Sequence, residues 1–312
     1  MISAPILAVI ETHFIGDYST APVRLPALTV RQFETALDRL LAEYEPVTAA
    51  RLRDWFAGEA DLPSKGVYLS FDDGIRDHVT NVLPVLQRRG LEGSFFVPGS
   101  ILAEDGRLPP LERQRFLQYA FGDYPTFLAA FVATVQERFG IAGLGMTEEN
   151  LGRMGDYLAD YAFYTDEERY YRWLRDTVLT PEQFLAVVDQ LFAARFPDER
   201  ALFATYYLSA NELAELKAAG MVVGAHGYVH EHLPRLADPR ADMERGMAAI
   251  EGVIGERPWI ASYPYGSYDQ GTVALMRDLR MAFAFTTQNQ IATLDRGNPY
   301  EIRRLDIAEL SR

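Results

Sequence analysis

Apolar and polar positions along this chain follow two alternating periods. Short apolar runs that read as buried strands occur at Met1 to Ile10, Val67 to Phe71, Ser94 to Val97, Met221 to Ala225, Trp259 to Tyr263 and Ala282 to Thr286. Stretches with helical spacing lie between them. Thr29 stands as an N-cap before Val30, Phe33, Leu37, Leu40, Leu41 and Tyr44, which predicts an amphipathic helix. Pro46-Val47 reads as a short strand, Ala49 to Phe56 as a helix, and Gly58 to Gly66 as a loop. The helix carrying Val79, Val82, Val85 and Leu86 ends at Gly90, a residue suited to the left-handed turn past a helix. Ser209 with Glu212 forms a capping box for a helix that stops at Gly220, and further helices are expected from Pro239 to Ile254 and from Thr272 to Leu279. Strand and helix in alternation predict an α/β fold with parallel strands.

Between the strand at Ser94 to Val97 and Tyr207 the pattern is helical, broken by glycines near Gly140 to Gly145. With no internal repeat or low-complexity tract, residues 1–312 read as one domain carrying a helical insertion over about 104–207. Arg169, Tyr170, Tyr171, Arg172, Trp173 and Arg175 sit inside it. Aromatics at helical spacing predict a packed core there rather than a sugar-stacking face. The insertion is also the segment expected to act as a lid or to join two copies into a homo-oligomer.

Charge narrows the partners. Forty-four acidic against 30 basic residues leave a net charge of −14, which repels a nucleic-acid backbone or an anionic membrane. The absence of cysteine removes disulfides, thiolate metal sites and cysteine nucleophiles, so any metal is held by nitrogen and oxygen. Met1 to Ile10 lacks a basic leader, and no apolar run reaches the roughly 20 residues of a spanning helix. A cytoplasmic protein without a membrane span is expected.

Three polar clusters each follow a predicted strand: Asp72-Asp73-Gly74, His226 to His230, and Tyr263-Pro264-Tyr265-Gly266. Loops leaving the carboxyl ends of parallel strands converge on one face, so these clusters can meet. Singly they are ordinary: Asp-Asp-Gly suits a turn, histidines four apart share a helix face, and Tyr-Pro-Tyr-Gly ends a strand. Jointly, two imidazoles and one carboxylate make a three-ligand divalent-metal site with open positions, zinc being the first choice, followed by Co2+, Mn2+, Ni2+ or Fe2+. Of the two adjacent aspartates, one is free to bind metal while its neighbour handles protons.

Ser70-Phe71-Asp72-Asp73-Gly74, His226 to His230 and Ser262-Tyr263-Pro264-Tyr265-Gly266 resemble the first three motifs of the polysaccharide deacetylase (NodB-homology) family. From Glu11-Thr12-His13 to Arg303-Arg304-Leu305-Asp306 the layout is similar to a subgroup found in bacterial surface-polysaccharide biosynthesis. The resemblance implies a distorted (β/α) barrel, a metal held by Asp73, His226 and His230, Asp72 as the base, and the backbone N–H of Tyr265 at the oxyanion. It further implies hydrolysis of an N-acetyl group from an amino sugar, with a small nucleotide- or lipid-linked precursor expected as substrate. Hydrolysis of another C–N bond or of an O-acetyl ester uses the same machinery. Two histidines and a carboxylate also suit a non-haem iron oxygenase, and loss of the usual acid and arginine suits a non-catalytic glycan-binding relative.

Those two losses are departures from the family pattern. No histidine follows His232, so the usual late acid is missing, and His13, at the end of the first strand, is the candidate to replace it. His78 and His232 are left without a role. The arginine that commonly opens the third motif is Ser262 here, and Arg303 or Arg304 is the candidate to hold Asp72 instead; Arg304 is taken as the site residue, although a solvated strand end is the simpler reading of Arg303-Arg304-Leu305-Asp306.

Overall fold

The computed structural model describes residues 5–103, 106–159 and 164–310. The first residues of the expected opening strand, Met1 to Ala4, lie outside them. Among the described residues, nine strands form one sheet: β1 (Ile6–Thr12), β2 (Glu45–Pro46), β3 (Lys65–Phe71), β4 (Ser94–Val97), β5 (Val222–Ala225), β6 (Ile260–Ser262), β7 (Phe283–Phe285), β8 (Ala292–Thr293) and β9 (Leu305–Asp306). Their order is β7-β6-β5-β4-β3-β1-β8, with β2 added on β3 and β9 on β1. All pairings are parallel except that of β8 with β1, an antiparallel edge that short apolar runs gave no means to foresee. The sheet is curled, with helices in its crossovers, and is a distorted (β/α) barrel.

Burial explains why these segments are strands. From Gly66 to Phe71 every residue of β3 is buried, as is Leu7 to Thr12 of β1, the signature of a parallel strand covered on both faces. Leu7, Val9, Tyr68, Phe96, Ile260 and Phe283 pack on one side with Leu52 and Trp55 of the helix Ala49–Ala57. Ala225, Ala261 and Ala284 pack on the other with Met243 and Met247 of the helix Pro239–Ile254 and Met276 of the helix Gln270–Asp278. Thr29 caps the helix Val30–Glu43 in a full capping box with Gln32, and Ser209 does the same with Glu212. The helix expected before Gly90 differs in its first turn. His78–Val82 is a π-turn leading into Leu83–Arg89, and π-turns cluster at functional sites.

The chain divides into two compact units. The first holds the sheet and comprises residues 1–18, 26–107 and 203–312. The second comprises residues 19–25 and 108–202, overlapping the expected insertion, and is built from helices around Phe127, Phe131 and Tyr171. The Tyr171 ring meets those of Phe127 and Phe131 edge-on, each at 5.0 Å. Tyr170, Tyr171 and Trp173 are all buried, as their helical spacing predicts. No helix among the described residues is long and apolar enough to cross a membrane.

Candidate active site

Register brings the site together. Thr12 pairs with Phe71 and Phe71 with Phe95 across β1, β3 and β4, so β1 and β3 end at one level and β4 runs two residues further. Asp72 and Asp73 follow β3, His13 follows β1, His226 follows β5 and Tyr263 follows β6. Asp73, His230 and Tyr265 have φ of 71°, 54° and 58°. Left-handed backbone at a non-glycine residue costs about 1–3 kcal/mol and persists where the surroundings over-determine it. Three such residues in one site indicate that side-chain direction, not local preference, sets this backbone.

The Asp73 carboxylate lies 3.1 Å from His230 Nε2 and 3.5 Å from His226 Nε2. The ligand atoms of these three buried residues are all within 4.8 Å of one another. His226 Nδ1 is 2.8 Å from the carbonyl oxygen of Ser262, to which it donates in the tautomer that leaves Nε2 as an acceptor facing Asp73. Two imidazoles and a carboxylate suit a divalent ion of the zinc type, and these donors converge as such an ion requires. Burial pushes the Asp73 pKa up, but the adjacent His230 and then His13 imidazoles outweigh it and hold it well below the carboxylate range.

Asp72 has a separate environment. Arg304 donates to it through both terminal nitrogens, Nη1 at 2.9 Å and Nη2 at 2.7 Å, and Ser262 Oγ donates at 3.0 Å. Arg304 is fully buried, donating from Nε to the carbonyl oxygen of Thr286 and from Nη2 to Ser262 Oγ. Burial raises the Asp72 pKa; Arg304 and then His226 outweigh it and bring it down to about 2. The solvated reading of the Arg303-Arg304-Leu305-Asp306 segment is therefore corrected for Arg304. Arg303 and Asp306 are exposed, whereas Arg304, just before β9, is buried, where only a paired guanidinium is tolerated. Its guanidinium stands against Asp72.

His13 lies beside both groups, its Nε2 3.9 Å from Asp73 and 3.7 Å from Glu11. The Tyr265 ring is stacked between His230, at 4.8 Å, and His232, at 4.6 Å. His78 is remote from solvent, packed edge-on against Phe71 and tilted against Phe95, with Nε2 3.2 Å from the carbonyl oxygen of His13.

Glu11 carries no motif that marks it as a site residue. It is buried, 3.4 Å from Arg304 Nη2, and groups with His13 and Asp72. Burial raises its pKa, Arg304 opposes this, and Asp72 adds to the rise. The signal that could have found it is an acid at the end of an otherwise apolar strand, which requires a partner.

The family model for polysaccharide deacetylases matches residues 59–125 and 188–284, more than half of the chain, and takes in all three motifs. The chain belongs to the polysaccharide deacetylase family. Its fold is similar to that of IcaB from Ammonifex degensii, with a TM-score of 0.56 and 18% identity over 99% of each chain. It is likewise similar to the Streptococcus pyogenes deacetylase PplD in complex with acetate, with a TM-score of 0.57 and 13% identity over 97% of this chain and 93% of that one. A segment of 44 residues is 46% identical to the poly-beta-1,6-N-acetyl-D-glucosamine N-deacetylase of Escherichia coli (strain K12). That match spans 14% of this chain and 6% of the relative's length.

Proposed function

We propose that this family member is a metal-dependent hydrolase that removes the N-acetyl group from an amino-sugar unit of a glycan. The observation carrying this reading is the separation of two adjacent carboxylates. Asp73 points at two imidazoles while Asp72, clamped by Arg304, stays outside that donor set. An oxygenase needs no such unligated base. Asp73, His226 and His230 are the residues that would hold the ion. When bound, a divalent ion there polarises a carbonyl and lowers the pKa of water from about 15.7 towards about 7, which makes even a weak base adequate.

The residues divide the remaining work. Water oxygen bonds to the acetamide carbon, the C–N bond breaks, and acetate and a free amine leave. Asp72, ionised throughout the neutral range, accepts the proton released in the attack. His13 supplies the proton to the departing nitrogen; its side chain is 38% exposed, so it is reachable from solvent. The Tyr265 backbone N–H, by family resemblance, donates to the oxyanion. Residues 1–312 act in this scheme as one catalytic domain with its helical insertion. The short match to the E. coli enzyme supports N-acetylglucosamine units of a polymer as substrate, with a carrier-linked precursor as the second reading.

Acetate released from zinc-loaded protein by N-acetylglucosamine oligosaccharides and by nucleotide-linked N-acetylglucosamine tests this. Asp72→Asn is expected to lower turnover by about a hundredfold, and His13→Gln to lower it as well. Chelation is expected to abolish turnover and zinc to restore it. Equal turnover in the parent and Asp72→Asn overturns the assignment of the base.

A further inference from the structure

A cavity of about 410 Å3 is lined by the segment that runs from β7 through β8 and back. The chain leaves β7, descends to the antiparallel β8, and returns along β7 through hydrogen bonds from Ile302 N to Ala284 O and from Thr286 N to Ile302 O. Descending and returning limbs form the walls together with Tyr268 from the turn after β6. Tyr268, Gln288, Asp295, Asn298, Glu301 and Arg303 line the space.

These side chains are ordered by one another. Asn298 Nδ2 donates to Glu301 Oε2 at 2.5 Å, Gln288 Nε2 donates to the Tyr268 hydroxyl at 3.3 Å, and Arg303 Nη1 donates to Gln290 Oε1. The wall adjoins the catalytic residues. Tyr268 stacks on Tyr263 at 5.4 Å, Thr287 Oγ1 donates to the carbonyl oxygen of Tyr265 at 3.4 Å, and Arg303 directly precedes Arg304. The Tyr263 hydroxyl is buried with no hydrogen-bond partner among the described residues, and burial and the nearby Glu301 carboxylate both push its pKa up.

The size falls within the range of small-molecule sites. Its lining combines amides, carboxylates, a guanidinium and a phenol ring with the aliphatic side chains of Ile291, Ala292, Leu294 and Ile302. A pyranose matches that set, because its hydroxyls both donate and accept while its C–H face lies on an aromatic ring. Two carboxylates against one guanidinium disfavour a phosphate, and hence a nucleotide carrier. We propose that this cavity is a glycan subsite, seating one neutral or amine-bearing pyranose unit of the chain whose N-acetyl group is being removed. The inference rests on the deacetylase reading and chooses a glycan chain over a carrier-linked sugar.

Calorimetric binding of N-acetylglucosamine, its short oligomers, partly deacetylated oligomers and uridine-diphosphate N-acetylglucosamine tests the subsite directly. The host is zinc-loaded Asp72→Asn protein, with and without Asn298→Ala or Gln288→Ala, thermal melting confirming that each variant is folded. Affinity is expected to rise with chain length, and each added substitution to weaken oligomer binding by about fivefold, the worth of a lost hydrogen bond, while leaving the single sugar unchanged. Equal length dependence with and without both substitutions overturns the subsite, as does a nucleotide sugar that binds as tightly as the oligomers. Acetate release by the parent is read separately. Cavity-sensitive oligomer binding without acetate release supports the subsite and refutes the hydrolase; acetate release with cavity-insensitive binding does the reverse.

Discussion

At the scale of single residues, the central feature is one guanidinium serving Asp72 and touching Glu11. A buried, bidentate arginine cannot be exchanged for a point charge or a neutral chain without cost. Removing one partner of a buried ion pair leaves the other charged and unpaired, a loss of about 3–5 kcal/mol. Arg304→Met is therefore expected to lower unfolding stability by that amount in urea titrations. Combining it with Asp72→Asn should recover part of the loss, since the bidentate partner is then neutral and only Glu11 is left without the guanidinium. A double variant as unstable as Arg304→Met shows that the guanidinium is held for another reason. The same pair bears on the non-catalytic reading, one ground of which is the missing third-motif arginine. A guanidinium reaches Asp72 from the residue just before β9, with Ser262 supplying a hydroxyl to both.

At the scale of elements, the loop bearing His226 and His230 is held by the helix Pro239–Ile254. Asp242 on that helix accepts from the backbone N–H groups of Tyr228 at 2.8 Å and Val229 at 3.1 Å. The contact is flush because Gly246 has no side chain: a Cβ there would lie 2.3 Å from the carbonyl oxygen of Gly227. Gly246→Ala must push the loop away. Zinc affinity is expected to fall by about 10–100-fold, the range seen when the supports of metal ligands are altered, with an overpacking cost of about 1–3 kcal/mol. Calorimetry with zinc checks it, and an unchanged affinity would show that the loop is positioned without the helix. Legibility at this scale was uneven. The capping residues Thr29 and Ser209 and the stop at Gly90 act through neighbours a few positions away and are readable. The π-turn at His78–Val82 and the antiparallel β8 answer to distant contacts and leave no local periodicity.

At the scale of the whole molecule, the stability of the sheet-bearing unit is coupled to pH through His78. Burial lowers its pKa from 6.5 to about 4, so it is neutral in the folded state. Between those values the unfolded chain binds a proton that the folded chain refuses, so stability is complete above about 6.5 and is lost as pH falls towards 4. From pH 7 to about pH 5 the expected loss from this group is about 2 kcal/mol. His78→Gln, which cannot titrate, should unfold in urea with a correspondingly shallower pH dependence over that interval. Identical slopes for parent and variant would mean that other groups account for acid sensitivity.

Strand runs, helix caps and the three polar motifs are written locally, because apolar period and turn chemistry depend on residues close in the chain. That was enough to determine the α/β class and the family, and to single out Asp72, Asp73, His226 and His230 as candidates. Tertiary structure alone decided that Arg304 is buried on Asp72, that Glu11 shares it, and that Asp73, His230 and Tyr265 take left-handed backbone to face one another. Charge pairing between residues more than 200 positions apart, and backbone strain sustained by packing, have no signature within any short window of sequence.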